Sequence, residues 1–392
     1  MKYIEILDKS GNCEDCYVEG EFTQMRSLPL EGEKYYTYRW NSQLSKIPEP
    51  DLVVAEAYQQ PLSFGTSSAF AVAEAKMKAH IAAAKTAKIH PAICLYDIIP
   101  DHIYKEFCAA KSQVIEEFLQ NASCPPNYEH FLGIQKLLST VSSHEIILDP
   151  SKVTSTKQMK IIRSGLNRVI YDPSGTATGR LTTKRGSFPV MTLAARDRAF
   201  VVPSNDILVE FDYNAAEIRT LLALSGHDQP DIDIHEYNAQ QFSNPIPRRE
   251  AKESFFAWLY NRSRKSRTFG DIYDKNIYKK FFEEEKSMIK TPFGRKLKVD
   301  ETRALNYLLQ STSSDLMLEQ ALKVSTCLNG GTGKSFVKFL MHDSVILDVD
   351  RVDLPLLGSI LEVFAQTRLG KYVVNVKHGT DFLNLRALKW RM

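Results

Sequence analysis

The sequence lacks any long hydrophobic run and any recognisable secretion signal. None of its segments approaches the roughly 18–20 consecutive apolar residues that a membrane-spanning helix needs. The first residues, MKYIEILDKSGN, have neither the basic start nor the apolar stretch of a signal peptide. We therefore expect a cytoplasmic protein with no membrane partner.

Cysteine is also scarce, and no charge sign is in large excess. The six cysteines are spread along the chain, a density too low for a disulfide framework. Cys13 and Cys16 have C-x-x-C spacing, but no second Cys or His pair lies near them to complete a zinc site. The net charge of +3 does not by itself indicate a polyanion partner, although lysines cluster at positions 76, 78, 85 and 88.

The apolar patterns indicate both helices and strands. The run Ile207 to Phe211 predicts a buried strand, and the helix after it should end near Gly226. The segment 336–350, FVKFLMHDSVILDVD, predicts two strands joined by a tight turn. Helices are also predicted after Pro247, extending to about Tyr260, and across 302–322.

Two aspartates lie where these apolar strands end. Asp212 follows the first strand, and Asp343 lies in the turn of the hairpin. Taken singly, each is an ordinary turn residue. Taken together, they are what a two-metal phosphoryl-transfer site requires, because two divalent ions need shared carboxylates on rigid elements. Asn214 and Glu217 have the spacing of a capping box, which would also place Glu217 close to Asp212.

The helix after Pro247 carries a stripe of related side chains. Arg248, Lys252, Phe256 and Tyr260 follow one another at four-residue steps, so they share one helix face. The stripe is cationic at its start and aromatic at its end. This order is complementary to a nucleoside triphosphate, which has an anionic triphosphate at one end and a flat base at the other. The ordinary alternative is a half-buried helix whose basic residues reach solvent.

Six segments in order resemble the motifs of the family A DNA polymerases. DYNAAEIR (212–219) resembles motif A, RREAKESFFAWLY (248–260) motif B, and MHDSV (341–345) motif C. TATGRLTT (176–183), DIH (233–235) and RALNYLLQSTSSD (303–315) agree with three further family segments. The resemblance covers roughly residues 165 to 392.

The resemblance implies an α+β right-hand polymerase fold with an antiparallel β palm, a helical thumb and helical fingers. It implies the following divisions: 1–57, a small appendage of unknown role; 58–168, the thumb; 169–235, the first part of the palm; 236–294, the fingers; and 295–392, the second part of the palm. The implied activity is DNA-directed DNA polymerisation, in which dNTPs are added to a primer 3′-hydroxyl on a DNA template.

The resemblance also assigns roles to residues of the nucleotide site. Asp212 and Asp343 would bind two Mg²⁺ ions, while Arg248, Lys252 and His235 would hold the triphosphate. Lys252 would also donate a proton to the departing pyrophosphate. The nucleotide site would further include Tyr213, Phe256, and the pair Glu217 and Tyr260, which matches a steric gate against a ribose 2′-hydroxyl. Phe256, where some members have tyrosine, implies discrimination against dideoxynucleotides.

A second group of residues is expected at the primer-template. Arg180, Asn306 and Gln310 match positions that contact the minor groove at the primer terminus, where donors test base-pair shape without reading sequence. Thr178 and His342 are assigned to DNA as well. The thumb lysines Lys76, Lys78, Lys85 and Lys88 would contact duplex phosphates, which predicts binding that weakens steeply with salt.

Some features depart from the family pattern. Ser344 replaces the usual acidic residue after Asp343, and Asn261 replaces the usual glycine after Tyr260. The segment before the thumb has no D-x-E strand motif, so we expect no 3′–5′ exonuclease in this chain. A separate exonuclease, a processivity factor, and the cytoplasm of an infected bacterial host are further hypotheses.

Two alternatives remain at this stage. A single-subunit RNA polymerase shares the palm and a similar helix, but Glu217 and Tyr260 disfavour it. A catalytically inactive protein that binds primer-template is disfavoured because Asp212, Asp343, Arg248 and Lys252 are all retained, whereas duplex binding needs only basic residues.

Overall fold

The computed structural model of the protein describes residues 1–7, 13–29, 31–41, 43–44, 47, 52–58, 68–89, 94–261 and 263–388. The chain divides into two compact units, Met1–Ser143 and His144–Met392. Within the ranges that the structure describes, no helix is both long enough and apolar enough to cross a membrane.

The first unit contains, over its described residues, a five-stranded sheet and three α-helices. The strand order is β3-β2-β1-β4-β5, with β1 antiparallel to β2 and parallel to β4. The strands are β1 Lys2–Ile6, β2 Asp15–Val18, β3 Glu21–Gln24, β4 Tyr35–Thr37 and β5 Leu52–Val54. The helices are α1 Ser68–Thr86, α2 Asp101–Asn121 and α3 Tyr128–Ser143.

Helix α2 is part of the same core as this sheet. Its residues Tyr104, Cys108 and Ile115 are buried in one cluster with Tyr3 and Tyr36 of the strands. These contacts bury apolar surface shared by sheet and helix, which is the main driving force for packing them together. The first compact unit therefore joins residues that the sequence analysis had divided at position 57.

The second unit is built, in its described part, around a five-stranded antiparallel sheet with the order β14-β15-β10-β18-β19. The strands of this unit are β6 Ile147–Leu148, β7 Tyr171–Asp172, β8 Thr182–Thr183, β9 Val201–Val202, β10 Ile207–Tyr213, β11 Phe282–Glu283, β12 Met288–Lys290, β13 Lys296–Lys298, β14 Phe336–Met341, β15 Ser344–Val349, β16 Gln366–Thr367, β17 Gly370–Lys371, β18 Val374–Gly379 and β19 Arg386–Ala387. Strands β11, β12 and β13 form a separate small sheet.

The second unit also contains α-helices, several of which pack on one another or on this sheet. They are α4 Thr156–Arg163, α5 Ala216–Leu224, α6 Ile234–Gln240, α7 Arg248–Tyr260, α8 Arg267–Gly270, α9 Glu301–Asn329 and α10 Leu357–Ala365. Helix α7 buries Phe255 and Trp258 in a cluster that also contains Leu221 of α5 and Leu308 of α9. The exposed side of α7 is therefore held in a defined orientation by its apolar side.

Several predictions about local structure are confirmed. Strand β10 covers the predicted apolar run, β14 and β15 form the predicted hairpin, and α7 ends at Tyr260. Gly226 follows α5 with φ +87°, a left-handed conformation that glycine adopts without strain.

The predicted capping box at the start of α5 is wrong. The helix begins at Ala216, and its N-cap is Ala215, which makes no side-chain cap hydrogen bond. The side-chain oxygen of Asn214 instead accepts hydrogen bonds from the Ile234 backbone (2.9 Å) and from Arg219 (3.2 Å). The Asn214 oxygen that a helix cap would have used is therefore occupied by these other hydrogen bonds.

Candidate active site

Asp212 and Asp343 lie together at one end of the main sheet. Asp212, near the end of β10, is opposite Ser344 of β15 and Asn375 of β18. The backbone N–H of Tyr213 donates to the Asp343 carbonyl at 3.2 Å, which ties the hairpin turn to the end of β10. The sheet register therefore places both carboxylates at the same edge.

The neighbours of each aspartate differ. Asn375 donates a hydrogen bond to the Asp212 carboxylate at 3.3 Å. Burial raises the pKa of Asp212 to about 6, and Asp343 contributes to this rise. Burial also raises the pKa of Asp343, while Arg180 and His342 oppose the rise. The partly buried Asp212 carboxylate thus lies in the field of the Asp343 carboxylate, an arrangement that a cation would stabilise.

Glu217, Arg180 and Tyr260 form a group beside these aspartates. Arg180 donates to the Glu217 carboxylate, and burial raises the pKa of Glu217, with Arg180 opposing the rise and Asp343 adding to it. Partial burial and the Glu217 carboxylate raise the pKa of Tyr260, and Arg180 lowers it. The structure thus brings together three residues that lie far apart in the sequence.

Asp233 connects the main sheet to helix α7. Its carboxylate accepts two hydrogen bonds from Arg248, at 3.1 and 2.6 Å, and one from Asn214 at 2.7 Å. It also caps α6 by accepting from the backbone N–H groups of His235 and Glu236, at 2.8 and 3.1 Å. A bidentate pair of this kind fixes direction as well as distance, so Asp233 determines where Arg248 lies.

His235 is the second residue of α6, two positions after Asp233, and is only 3% exposed. Its Nδ1 is among the buried polar atoms without a hydrogen-bond partner in the described residues. Burial lowers the pKa of His235 to about 4, and Arg248, Lys252 and Arg219 lower it further against the opposing effect of Asp233. His235 is therefore neutral near pH 7.

The α7 stripe has the order that the sequence predicts. Arg248 and Lys252 are exposed at its start, Phe256 is half-buried 6.2 Å from the His235 ring, and Tyr260 is exposed at its end. The rings of Phe256 and Tyr260 stack, with centroids 5.9 Å apart and an interplanar angle of 7°. On α9, Gln310 donates to the Asn306 side chain at 2.8 Å, and both residues are partly exposed.

Besides His235, two further predicted site residues have buried side chains. Tyr213 stacks on Phe364 at 4.3 Å between centroids, and its hydroxyl donates to the Phe364 carbonyl at 2.6 Å. Any nucleotide contact by Tyr213 would therefore come from its backbone. Thr178 is 5% exposed. His342, by contrast, is exposed and has a left-handed backbone with φ +50°.

The four predicted thumb lysines lie on and just after α1 and are not equivalent. Lys76 pairs with Glu106 at 2.8 Å, and Lys78 pairs with Glu74 at 2.9 Å. Lys85 and Lys88 are exposed. Lys78 and Lys85 are seven residues apart and share a helix face, whereas Lys76 points elsewhere.

Two departures from the family pattern have simple local structures. Ser344 is buried, and its hydroxyl donates to the Met341 carbonyl at 3.0 Å, which closes the hairpin turn. Asn261 is extended, with φ −100°, so it needs none of the conformational freedom of glycine.

The sequence analysis gave no role to Asp233, Asn375 or Lys275. Lys275 donates to the carbonyls of Trp258, Asn261 and Arg264 at 3.0, 3.0 and 3.1 Å, and so holds the end of α7. Asp233 is the first residue of the DIH segment, so the family resemblance could have pointed to it. Asn375 and Lys275 belonged to no motif; Asn375 bonds to a residue 163 positions away, and Lys275 bonds to backbone carbonyls 11 to 17 positions away.

The two aspartates fit a divalent ion that is also bound by substrate. No cluster of three or more His, Cys, Asp or Glu side chains suited to a metal is found in the described parts of the chain. Asp212 and Asp343 could supply two carboxylates to such an ion, with the remaining ligands from water and phosphate. Mg²⁺ is commonly held in this way.

Comparison with known proteins agrees with the motifs. No protein-family model matches the chain. The chain is 24% identical to the DNA polymerase of Mycobacterium phage L5 over 243 residues, covering 54% of this chain and 39% of the phage protein. It is 26% identical to the thermostable DNA polymerase I of Thermus aquaticus over 240 residues, covering 48% of this chain and 29% of that protein. The chain thus spans less than half the length of these relatives.

A solved structure shows a similar fold. The POL domain of Pol1 from M. smegmatis, in complex with DNA primer-template and dNTP, has a TM-score of 0.58, covering 93% of this chain and 91% of that chain at 12% identity. The mixed α/β fold therefore resembles a DNA polymerase POL domain. Together these findings confirm the resemblance seen in the motifs and relate this chain to the DNA polymerase I and phage DNA polymerases of family A.

Proposed function

We propose that the protein is a DNA-directed DNA polymerase that adds dNTPs to a primer 3′-hydroxyl on a DNA template. The observation that carries this proposal is the placement of Asp212 and Asp343 at one sheet edge, with the Arg180–Glu217 pair beside them. The Asp233–Arg248 contact joins the same edge to α7. A protein that only clamps duplex DNA needs basic residues at phosphates and no buried carboxylate pair.

The carboxylates would hold two Mg²⁺ ions. These ions, when bound, supply charge neutralisation at the attacking and leaving oxygens. The roles of the protein groups are to orient the reactants and to complement developing charge, which supply most of the rate in phosphoryl transfer.

Arg248, Lys252 and His235 would bind the incoming triphosphate. Arg248 and Lys252 are exposed cations at the start of α7, where the helix dipole also favours an anion. His235 would act as a neutral hydrogen-bond donor, because its pKa of about 4 keeps it uncharged near pH 7. Lys252 would donate a proton to the leaving pyrophosphate.

Glu217 and Tyr260 would exclude a ribose 2′-hydroxyl. The Glu217 carboxylate is held by Arg180 and lies in the field of Asp343, so it borders the metal-binding edge. The Tyr260 ring is stacked on Phe256, and Glu217 and Arg180 both influence the pKa of its hydroxyl. A rigid carboxylate and ring at the sugar would oppose an additional hydroxyl by steric clash.

The remaining site residues would contact DNA. Arg180, Asn306 and Gln310 would donate to minor-groove acceptors at the primer terminus, with His342 and the buried Thr178 segment beside them. Lys85 and Lys88, and less strongly the paired Lys76 and Lys78, would contact duplex phosphates. The proposal includes no 3′–5′ exonuclease activity for this chain, which release of nucleotides from a labelled primer would contradict.

The test is primer extension on a recessed primer-template with Mg²⁺ and either dNTPs or rNTPs. Asp212→Asn and Asp343→Asn should each lower extension by roughly a hundredfold or more, because several kcal/mol of charge stabilisation are lost. Asp206→Ala is the matched control, since Asp206 is exposed just before the other end of β10 and should be dispensable. Extension with rNTPs only would favour an RNA polymerase, and duplex binding without extension would favour an inactive binding protein.

A further inference from the structure

Arg295 is an almost buried arginine that has no part in the site described above. Its guanidinium donates to both carboxylate oxygens of Asp315 on α9, at 2.9 and 2.6 Å. The two side chains are 11% and 0% exposed. A bidentate pair in such surroundings holds the guanidinium plane in one orientation.

The turn that carries Arg180 packs on this guanidinium. A Cβ added to Gly179 would lie 2.5 Å from Arg295 Cζ and 2.8 Å from Nε and Nη1. Gly179 also has φ +75°, so both its backbone and its lack of a side chain are required here. No other residue type would let the turn approach Arg295 so closely.

Two further hydrogen bonds hold the same turn. Ser314, next to Asp315 on α9, donates to the Gly179 carbonyl at 3.1 Å. The Thr176 hydroxyl donates to the Arg180 carbonyl at 2.9 Å. The backbone of Arg180 is thereby fixed relative to α9, and its side chain reaches Glu217.

We propose that Arg295 is a positioning residue for Arg180, and that through Arg180 it sets the efficiency of dNTP addition and the discrimination between dNTPs and rNTPs. This inference rests on the proposed function, because Arg180 and Glu217 act there on the primer terminus and the sugar. Stability alone is a weak reason for the Arg295–Asp315 pair, since buried ion pairs contribute little compared with apolar residues of similar volume.

Arg295→Lys is the informative variant. Lysine keeps the positive charge beside Asp315 but lacks the planar, two-pronged donor on which Gly179 packs. If Arg295 acts through Arg180, the Arg295→Lys substitution should change kcat/KM and the dNTP-to-rNTP ratio only while Arg180 is present. The experiment is therefore a double-mutant cycle of Arg295→Lys and Arg180→Ala, read as kcat/KM for dNTP addition and as the dNTP-to-rNTP ratio.

We expect Arg295→Lys to lower kcat/KM by roughly tenfold in the wild-type background and by less than about twofold in Arg180→Ala, because residues of one network are not additive. Equal losses in both backgrounds would overturn the proposal. Ser314→Ala removes a different contact with the same turn and should show the same dependence on Arg180 with a smaller loss, which covers the case in which Arg295→Lys does not fold.

Lys338→Met provides the control for a general effect of buried ion pairs. Lys338 and Asp348 form an even more deeply buried pair at 2.6 Å within the β14–β15 hairpin. Loss of the Lys338–Asp348 pair should lower the stability of the protein and leave the dNTP-to-rNTP ratio unchanged. If that ratio changed as much as in Arg295→Lys, a specific role for Arg295 would be refuted.

Failure of the proposed function can be told apart from failure of this inference. A wild-type protein that extends no primer refutes the polymerase proposal, and a crystal structure of Arg295→Lys then tests the positioning. Loss of the Arg180–Glu217 contact in that structure supports the inference. An unchanged contact and turn would overturn it.

Discussion

Protonation of His235 should destabilise the second unit in mild acid. The imidazole is 3% exposed, and burial lowers its pKa from 6.5 to about 4, with Arg248, Lys252 and Arg219 adding to the decrease. Between pH 6.5 and pH 4 the unfolded chain binds this proton more readily than the folded chain. Stability conferred by neutral His235 is therefore complete above pH 6.5 and is lost as the pH falls towards 4.

The magnitude follows from the size of the shift. A pKa difference between 6.5 and about 4 corresponds to roughly 3 kcal/mol over the whole titration, since one pKa unit is about 1.4 kcal/mol. From pH 7 to pH 5, His235 accounts for a decrease of about 2 kcal/mol in the free energy of unfolding. Asp212 has the opposite sign, because its raised pKa favours protonation of the folded state.

A comparison with His235→Gln isolates the His235 contribution, because the other titrating groups are common to both proteins. Urea unfolding would be followed by the fluorescence of Trp258, which is 3% exposed and packs on Phe255 and Phe269. Trp40→Phe and Trp390→Phe leave Trp258 as the sole reporter.

The stability difference between the two proteins should move by about 2 kcal/mol in favour of His235→Gln when the pH is lowered from 7 to 5. A difference that stays constant within about 0.5 kcal/mol would refute the claim that buried His235 resists protonation.

Further predictions concern selectivity, duplex binding and the hairpin. Glu217→Ala should raise rNTP incorporation relative to dNTP by roughly tenfold or more in single-nucleotide extension, because loss of one steric contact of this kind is worth at least one factor of ten; an unchanged ratio would remove Glu217 from the gate. Phe256→Tyr should raise dideoxynucleotide incorporation, and equal use of both nucleotide types by the wild type would contradict the role of Phe256. Duplex affinity should fall steeply with salt, and Lys85→Ala should reduce the log–log slope by about 1, with a smaller effect for the paired Lys76; a flat salt response would exclude phosphate contacts. Lys338→Met should lower the free energy of unfolding by ~3 kcal/mol in urea titrations, because Asp348 is left buried without its charged partner.

Local structure at the site was predictable from local pattern. The alternation and length of apolar runs predicted β10 and the β14–β15 hairpin, and four-residue spacing predicted the stripe on α7. The order of the motifs led from these elements to a resemblance to the family A DNA polymerases, and the relatives that the chain matches are DNA polymerases. These inferences succeeded because they depend on residues within about one element of each other.

The local rule failed where a distant partner competed for the same atom. Asn214 and Glu217 have capping-box spacing, but Asn214 bonds to Asp233 and to the Ile234 backbone, 19 and 20 residues away. Tyr213 follows a predicted metal ligand in sequence, yet its side chain is buried against Phe364. A residue can be next to the site in sequence and point away from it, because successive side chains of a strand face opposite sides.

The sequence by itself therefore determined which elements form and which chemical groups end each strand, since periodicity, turns and motif order are local properties. Only the tertiary structure decided the charge state of His235, the link from Asp233 to Arg248, and the support of Arg180 by Arg295 and Ser314. Those properties depend on burial and on contacts across as many as 135 residues of chain, as between Gly179 and Ser314. Such contacts arise only when folding brings the elements together.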